Sequence, residues 1–113
     1  MSRKTSNLMP QVSFSILLAL SLKPRHGYEL MQQVEADSRG IVKLGPGALY
    51  GAIKQLREEG LIEEIDGEGD RRRYYRLTEA GLRRLGAELK YFESTVKLAQ
   101  QRGLTQGGLI WTS

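Results

Sequence analysis

The chain has no cysteine, which removes disulfides, thiolate catalysis and Cys-ligated zinc together. It has one histidine, His26, so a histidine-built metal site is excluded as well and no metal is expected. No apolar run approaches the roughly 20 residues of a membrane helix. The longest, near residues 14–22, is broken by serines, lacks a small-residue cleavage motif and follows a Met-Pro pair. A secretory signal is therefore a poor reading, and a cytoplasmic protein without a membrane partner is expected. Basic excess is modest: 17 Lys and Arg against 13 Asp and Glu give +4 and a pI near 9.6. That permits nucleic-acid binding without demanding it. At 113 residues the chain has room for one core.

What it does have is concentrated in residues 60–77. Two β-prone runs, 61–65 and 74–77, flank a turn-forming Asp-Gly-Glu-Gly-Asp segment, which is a hairpin signature. Arg71, Arg72 and Arg73 sit at the far edge of that turn. They have no use in a core but suit a phosphate backbone. The plain alternative is a solvated, charged hairpin.

Residues 1–9 are polar and basic and read as a flexible tail. Pro10 can occupy the first turn of a helix running to about residue 22. Phe14, Ile16, Leu17, Leu18, Ala19, Leu20 and Leu22 cover most of its circumference, so part of it is expected to meet a second subunit. Lys23-Pro24-Arg25-His26-Gly27 breaks the pattern, and a second helix starts near His26 with Tyr28, Leu30, Met31 and Val34 on one face. Residues 41–44 form a short β-prone run. A third helix spans about residues 47–59, closed by Gly60.

Thr78 with Glu79 opens the last helix as an N-cap. Leu82, Leu85, Leu89, Phe92, Val96 and Ala99 then recur at spacings of 3, 4, 3, 4 and 3, a heptad seam. Leu82 and Leu85 can rest on their own domain. The distal half has nothing left in the chain to pack against, so a dimer seam is expected. Residues 105–113, which carry Leu109, Ile110 and Trp111, read as a flexible tail.

On a helical wheel the third helix puts Leu49, Ala52, Ile53 and Leu56 on one side. Gly47, Gly51, Lys54, Gln55 and Glu58 fall opposite, with Tyr50 and Arg57 on a flank. Each interior glycine costs about 1 kcal/mol, and close approach to another surface is one return for it. Tyr50, Lys54 and Gln55 have the reach for base edges and phosphates in a major groove. The Gly45-Pro46-Gly47 turn before this helix imitates a dinucleotide-binding loop, with Asp66 as its ribose carboxylate. The Gly spacing is wrong, and no βα units follow to build a parallel sheet. Glu58-Glu59 and Glu63-Glu64 point apart within each pair and read as solvated surface. No nucleophile or base stands near His26, so neither enzyme activity nor a cofactor is expected.

Several of these segments together resemble the phenolic acid decarboxylase repressor (PadR) family of bacterial regulators. His26-Gly27-Tyr28-Glu29-Leu30 is similar to its second-helix motif, and Gly47-Ala48-Leu49-Tyr50 to the start of its recognition helix. Leu56 and Gly60-Leu61-Ile62 look like the exit into its wing. Arg71-Arg72-Arg73-Tyr74-Tyr75-Arg76-Leu77-Thr78-Glu79-Ala80-Gly81 resembles its wing and the approach to its dimerisation helix. The family usually has Ser or Thr where this chain has Ala48, so one cap or phosphate contact is missing.

The resemblance implies a mainly α fold with a small β-hairpin: a winged helix-turn-helix at residues 10–77 and a dimerisation helix at residues 78–104. It implies a homodimeric repressor of the short-tailed class, bound to a palindromic double-stranded operator. Tyr28, Gly47, Ala48, Tyr50, Gly51, Lys54, Gln55, Arg71, Arg72 and Arg73 are the expected DNA-binding residues. Phe14, Leu18, Leu89, Phe92, Val96 and Ala99 are expected at the dimer interface. Some family members sense small hydrophobic molecules there, which makes Tyr91, Phe92 and Val96 candidate effector contacts. The competing reading is a winged-helix protein-interaction module that sets the same hairpin on an acidic partner.

Overall fold

A computed structural model describes residues 8–67, 69 and 71–105. The basic tail up to residue 7 and the segment 106–113 with Trp111 lie outside the described residues. So do Glu68 and Asp70 of the wing.

Helix α1 spans Gln11–Ala19 and stops short of the C-terminal end of its apolar run. Pro10 stands just outside it as the N-cap, its carbonyl accepting from the Phe14 amide at 3.0 Å. At its C-terminal end side chains satisfy the carbonyls left over where the ladder stops: Ser21 Oγ donates to the Leu18 carbonyl at 2.7 Å, and buried Arg25 Nε donates to the Ala19 carbonyl at 2.7 Å.

Strand β1 is only Arg25–His26, where the sequence showed a helix break. Its partner β3, Arg73–Leu77, also pairs with β2, Ile62–Asp66, giving an antiparallel sheet ordered β1-β3-β2. The register sets Arg25 opposite Tyr75 and His26 opposite Tyr74 on one edge, and Glu64 opposite Tyr75 on the other.

Helix α2, Gly27–Asp37, opens on a capping box built by the lone histidine. His26 Nδ1 accepts from the Glu29 amide at 3.4 Å, and the His26 amide donates to Glu29 Oε1 at 3.3 Å. The β-prone run 41–44 forms no strand. The sheet holds β1, β3 and β2 alone, and the run pairs with none of them among the described residues. Val42 instead turns inward, its amide held by Ser38 Oγ at 2.8 Å.

Helix α3 spans Pro46–Glu58, with Pro46 in its first turn. It ends on Gly60 at φ 76°, where the Leu61 amide reaches back to the Leu56 carbonyl at 2.9 Å. Helix α4 spans Glu79–Gln101. Its cap Thr78 accepts from the Gly81 amide at 3.0 Å and donates to the Gly60 carbonyl at 2.6 Å, tying the root of α4 to the end of α3.

The core gathers Ile16 and Leu17 of α1, Leu30 and Val34 of α2, Leu49, Ile53 and Leu56 of α3, Ile62 and Tyr75 of the sheet, and Leu85 of α4. Each such side chain contributes about 1.5–3 kcal/mol by leaving water. Phe14 and Leu18 lie half-buried at its rim.

The α4 seam divides differently from its spacing. Leu85 is buried, but Leu82, expected on its own domain, is 58% exposed beside Leu22 and Pro24. Phe92 is not without a partner in its own chain: its ring meets Phe14 edge-on, with centroids 5.3 Å apart at 84°. Leu89, Tyr91, Val96 and Leu98 remain exposed. Among the described residues no helix is long and apolar enough to cross a membrane, and no acidic, His or Cys cluster could hold a metal.

Candidate nucleic-acid interface

The exposed strip of α3 carries Gly47, Gly51 and Lys54. A Cβ built on either glycine meets no described atom within 4 Å. Neither glycine is needed to fit this chain, so their helix cost has no return inside it. The α3 N-terminus also lacks a side-chain cap: Gly45 has none to give, and Ala48 carries no hydroxyl. Its first amides therefore face outward with the positive end of the helix dipole.

Tyr50 turns toward the wing rather than straight outward. Its hydroxyl lies against Gly27, where a Cβ would meet the ring carbon Cζ at 2.9 Å as well as the hydroxyl. Gly27 thus exists so that α2 and α3 can approach. Tyr28, Tyr50, Arg72 and Arg73 come together around one shallow groove with His26 and Tyr75. Arg71 stands exposed at the wing tip.

Two expected DNA-binding residues are engaged within the chain. Gln55 donates to Glu59 at 3.3 Å and lines a small crevice with Met9, Ser13 and Arg84, away from Lys54 and the wing. Arg72 is engaged within the chain, with Nη1 3.0 Å from His26 Nε2. His26 also packs edge-on against Tyr74 at 5.3 Å. The histidine therefore joins the α2 cap to the wing. Its sequence signal was the Glu three residues later.

The acidic pairs do diverge, but Glu64 is not solvated surface. Glu64 Oε1 lies 3.2 Å from Arg57 Nη1 on α3, and Oε2 lies 3.5 Å from Arg73 Nε on the wing. Glu63 takes Arg76 at 2.6 Å, and Glu58 takes Lys54 at 3.3 Å. A further charge escaped notice in the sequence. Buried Glu88 accepts from the Met9 amide at 3.2 Å and from Arg84 Nε at 3.1 Å, anchoring the segment before α1 to α4.

Burial pushes the Tyr75 phenol up; Glu64 and Tyr50 add to this, while Arg73 and Arg57 oppose it. The native state therefore keeps this proton where an unfolded chain has begun to lose it. The associated stability is full below the ordinary tyrosine value of about 10 and is lost as pH rises through the raised one. Wild-type stability is expected to fall in this alkaline range more steeply than that of Tyr75→Phe. Parallel declines in urea titrations would remove the phenol from the account.

A family model described as the transcriptional regulator PadR-like family matches residues 16–87. A PadR family transcription regulator from Clostridium difficile is 26% identical, covering 81% of this chain and 97% of its own, with a TM-score of 0.69. A transcriptional regulator from Clostridium thermocellum is 27% identical over 80% of this chain and 90% of its own, with a TM-score of 0.68. An uncharacterised protein X from Lysinibacillus sphaericus is 34% identical over 71 residues, which are 59% of this chain. The chain spans 65% of that relative's length. Winged helix-turn-helix architecture, an α3 face with room for a close neighbour and a family match over most of the core agree: the chain belongs to the PadR-like family of transcriptional regulators, which bind DNA.

Proposed function

We propose that the chain acts as a homodimeric, sequence-specific repressor that sets α3 in the major groove and the wing on the adjoining backbone. The observation that carries this reading is Gly51, exposed, interior to a helix and needless within the chain, with Gly47 exposed on the same side in the first turn. Glycine there lets a helix backbone approach a groove wall more closely than any side chain would. Tyr50 and Lys54 flank the strip as the readers of base edges and phosphates. Tyr28, Arg71, Arg72 and Arg73 supply polar groups for the phosphates on either side. Gln55 is left as a peripheral contact by its hydrogen bond to Glu59.

Dimerisation follows from the exposed apolar side of α4, with Leu89, Val96 and Ala99 along it and Phe14, Leu18 and Phe92 at its base. Two copies would present two α3 helices about 34 Å apart to a palindromic operator. Tyr91 and Phe92, with ring centroids 5.7 Å apart at 65°, stand near Val96 where a small hydrophobic effector could enter and release DNA. An acidic protein partner has no observation in its favour beyond the wing charge.

Gly51→Ala tests the reading because its two effects run in opposite directions. Thermal stability is expected to rise by about 0.5–1 kcal/mol, since alanine favours the helix and finds open space. Affinity for operator duplex is expected to fall at the same time. If the melt rises and DNA binding is untouched, α3 does not approach DNA through this strip.

A further inference from the structure

The cations around α3 and the wing are not simply presented to solvent. Lys54, Arg57, Arg73 and Arg76 each meet a carboxylate of their own chain. Three of the pairings are local or lie on one hairpin, and pairs of that kind contribute little. Glu64 is different. It takes one cation from α3 and a second from the wing, and its side chain is only 25% exposed.

The register explains how. Glu64 stands directly opposite Tyr75, and Arg73 precedes Tyr75 by two residues on β3, so all three project from the same side of the sheet. That side faces α3, whose last full turn brings Arg57 within reach. The carboxylate thus sits in the angle between helix and wing. Both arginines remain reachable from outside, each exposed along much of its length. A carboxylate oxygen and a phosphate oxygen compete for the same guanidinium donors.

We propose that Glu64 is a specificity-determining residue. In the unbound protein it occupies the place a DNA phosphate would take between Arg57 and Arg73. The inference rests on the DNA reading above. On random duplex, the wing and α3 sit too shallowly to displace the carboxylate. Both arginines then stay compensated by Glu64 and give the phosphates little. On a fitting site, α3 enters far enough for phosphates to take over the two cations. Discrimination between sites needs such an unfavourable element against the wrong partner as well as attraction to the right one.

Glu64→Gln keeps the shape and removes the charge. Measured on a random duplex across a salt series, it is expected to bind about tenfold more tightly than wild type at low salt. The salt slope should steepen by about one to two contacts per protomer. Glu35→Gln, which removes one exposed charge far from the wing, is the control for net charge and should leave the slope unchanged. In a chain that also carries Arg57→Gln and Arg73→Gln, Glu64→Gln should bring no gain. A gain that persists without those arginines, or equal shifts for Glu64→Gln and Glu35→Gln, overturns the proposal. A wild type whose duplex binding ignores salt overturns the DNA reading itself, a different result from wild type and Glu64→Gln sharing one steep slope.

Discussion

Leu89→Asp combined with Val96→Asp should yield a protein that scatters light as a single copy and binds operator at least about 100-fold more weakly. The loss follows because two linked half-site contacts would become two independent ones. Leu89 is 43% and Val96 45% exposed, one heptad apart on one face of α4, an apolar stripe that a lone chain would leave in water. Phe92 is the poorer target despite its central place in the heptad, because its ring also supports Phe14. Circular dichroism on the same variant separates dissociation from unfolding, since a dimer can hold up part of its own fold. A wild type that is monomeric at micromolar concentration would overturn the dimer, and a double variant of unchanged mass would move the interface elsewhere.

Gly81→Ala should be the most damaging single methyl group in the chain. The added carbon would land on the Leu61 carbonyl oxygen, 3.0 Å from the carbonyl carbon and 3.2 Å from Leu77 Cδ2. That peptide cannot yield easily. Its carbonyl accepts from the Thr78 amide at 3.1 Å, and the Leu61 amide is bound to Leu56 at 2.9 Å. A loss of about 2–3 kcal/mol is expected, lowering the melting temperature by roughly 10 °C or more. Gly86→Ala in the same helix meets open space and should instead gain about 0.5–1 kcal/mol. Comparable melts for the two would mean that the α4 root is not packed as tightly as the distances indicate.

The sequence carried α3, the wing and α4 because their signals are local: Gly60 as a stop, Thr78 as a cap, a heptad repeat, an Asp-Gly turn. Strand β1 was not legible, since two residues become a strand only by lying beside Tyr74 and Tyr75, almost 50 positions away. The β-prone run 41–44 misled for the converse reason, having the propensity without a neighbour. In the candidate site, the glycines and the wing arginines were visible as residue types in order. What each touches was not. Helical periodicity placed Gln55 beside Lys54, but the crevice formed by Met9 and Arg84 draws it aside. Glu64 looked like one of two surface acids, and only the hairpin register turns it toward Arg57.

Thr78 has a mechanical consequence. By bonding Gly60 while capping α4, it makes the root of that helix a welded joint to the end of α3 and the start of the wing. With 23 residues, α4 is a pointer about 34 Å long. Turning the root by 5° sweeps the tip through about 3 Å, and the gearing works in reverse with the same ratio. A push of 1 Å applied at Gln101 rotates α3 by less than about 2°, whereas the same push near Leu85 rotates it several times further. Any signal that reaches α3 through this arm therefore gains leverage the closer it acts to the joint.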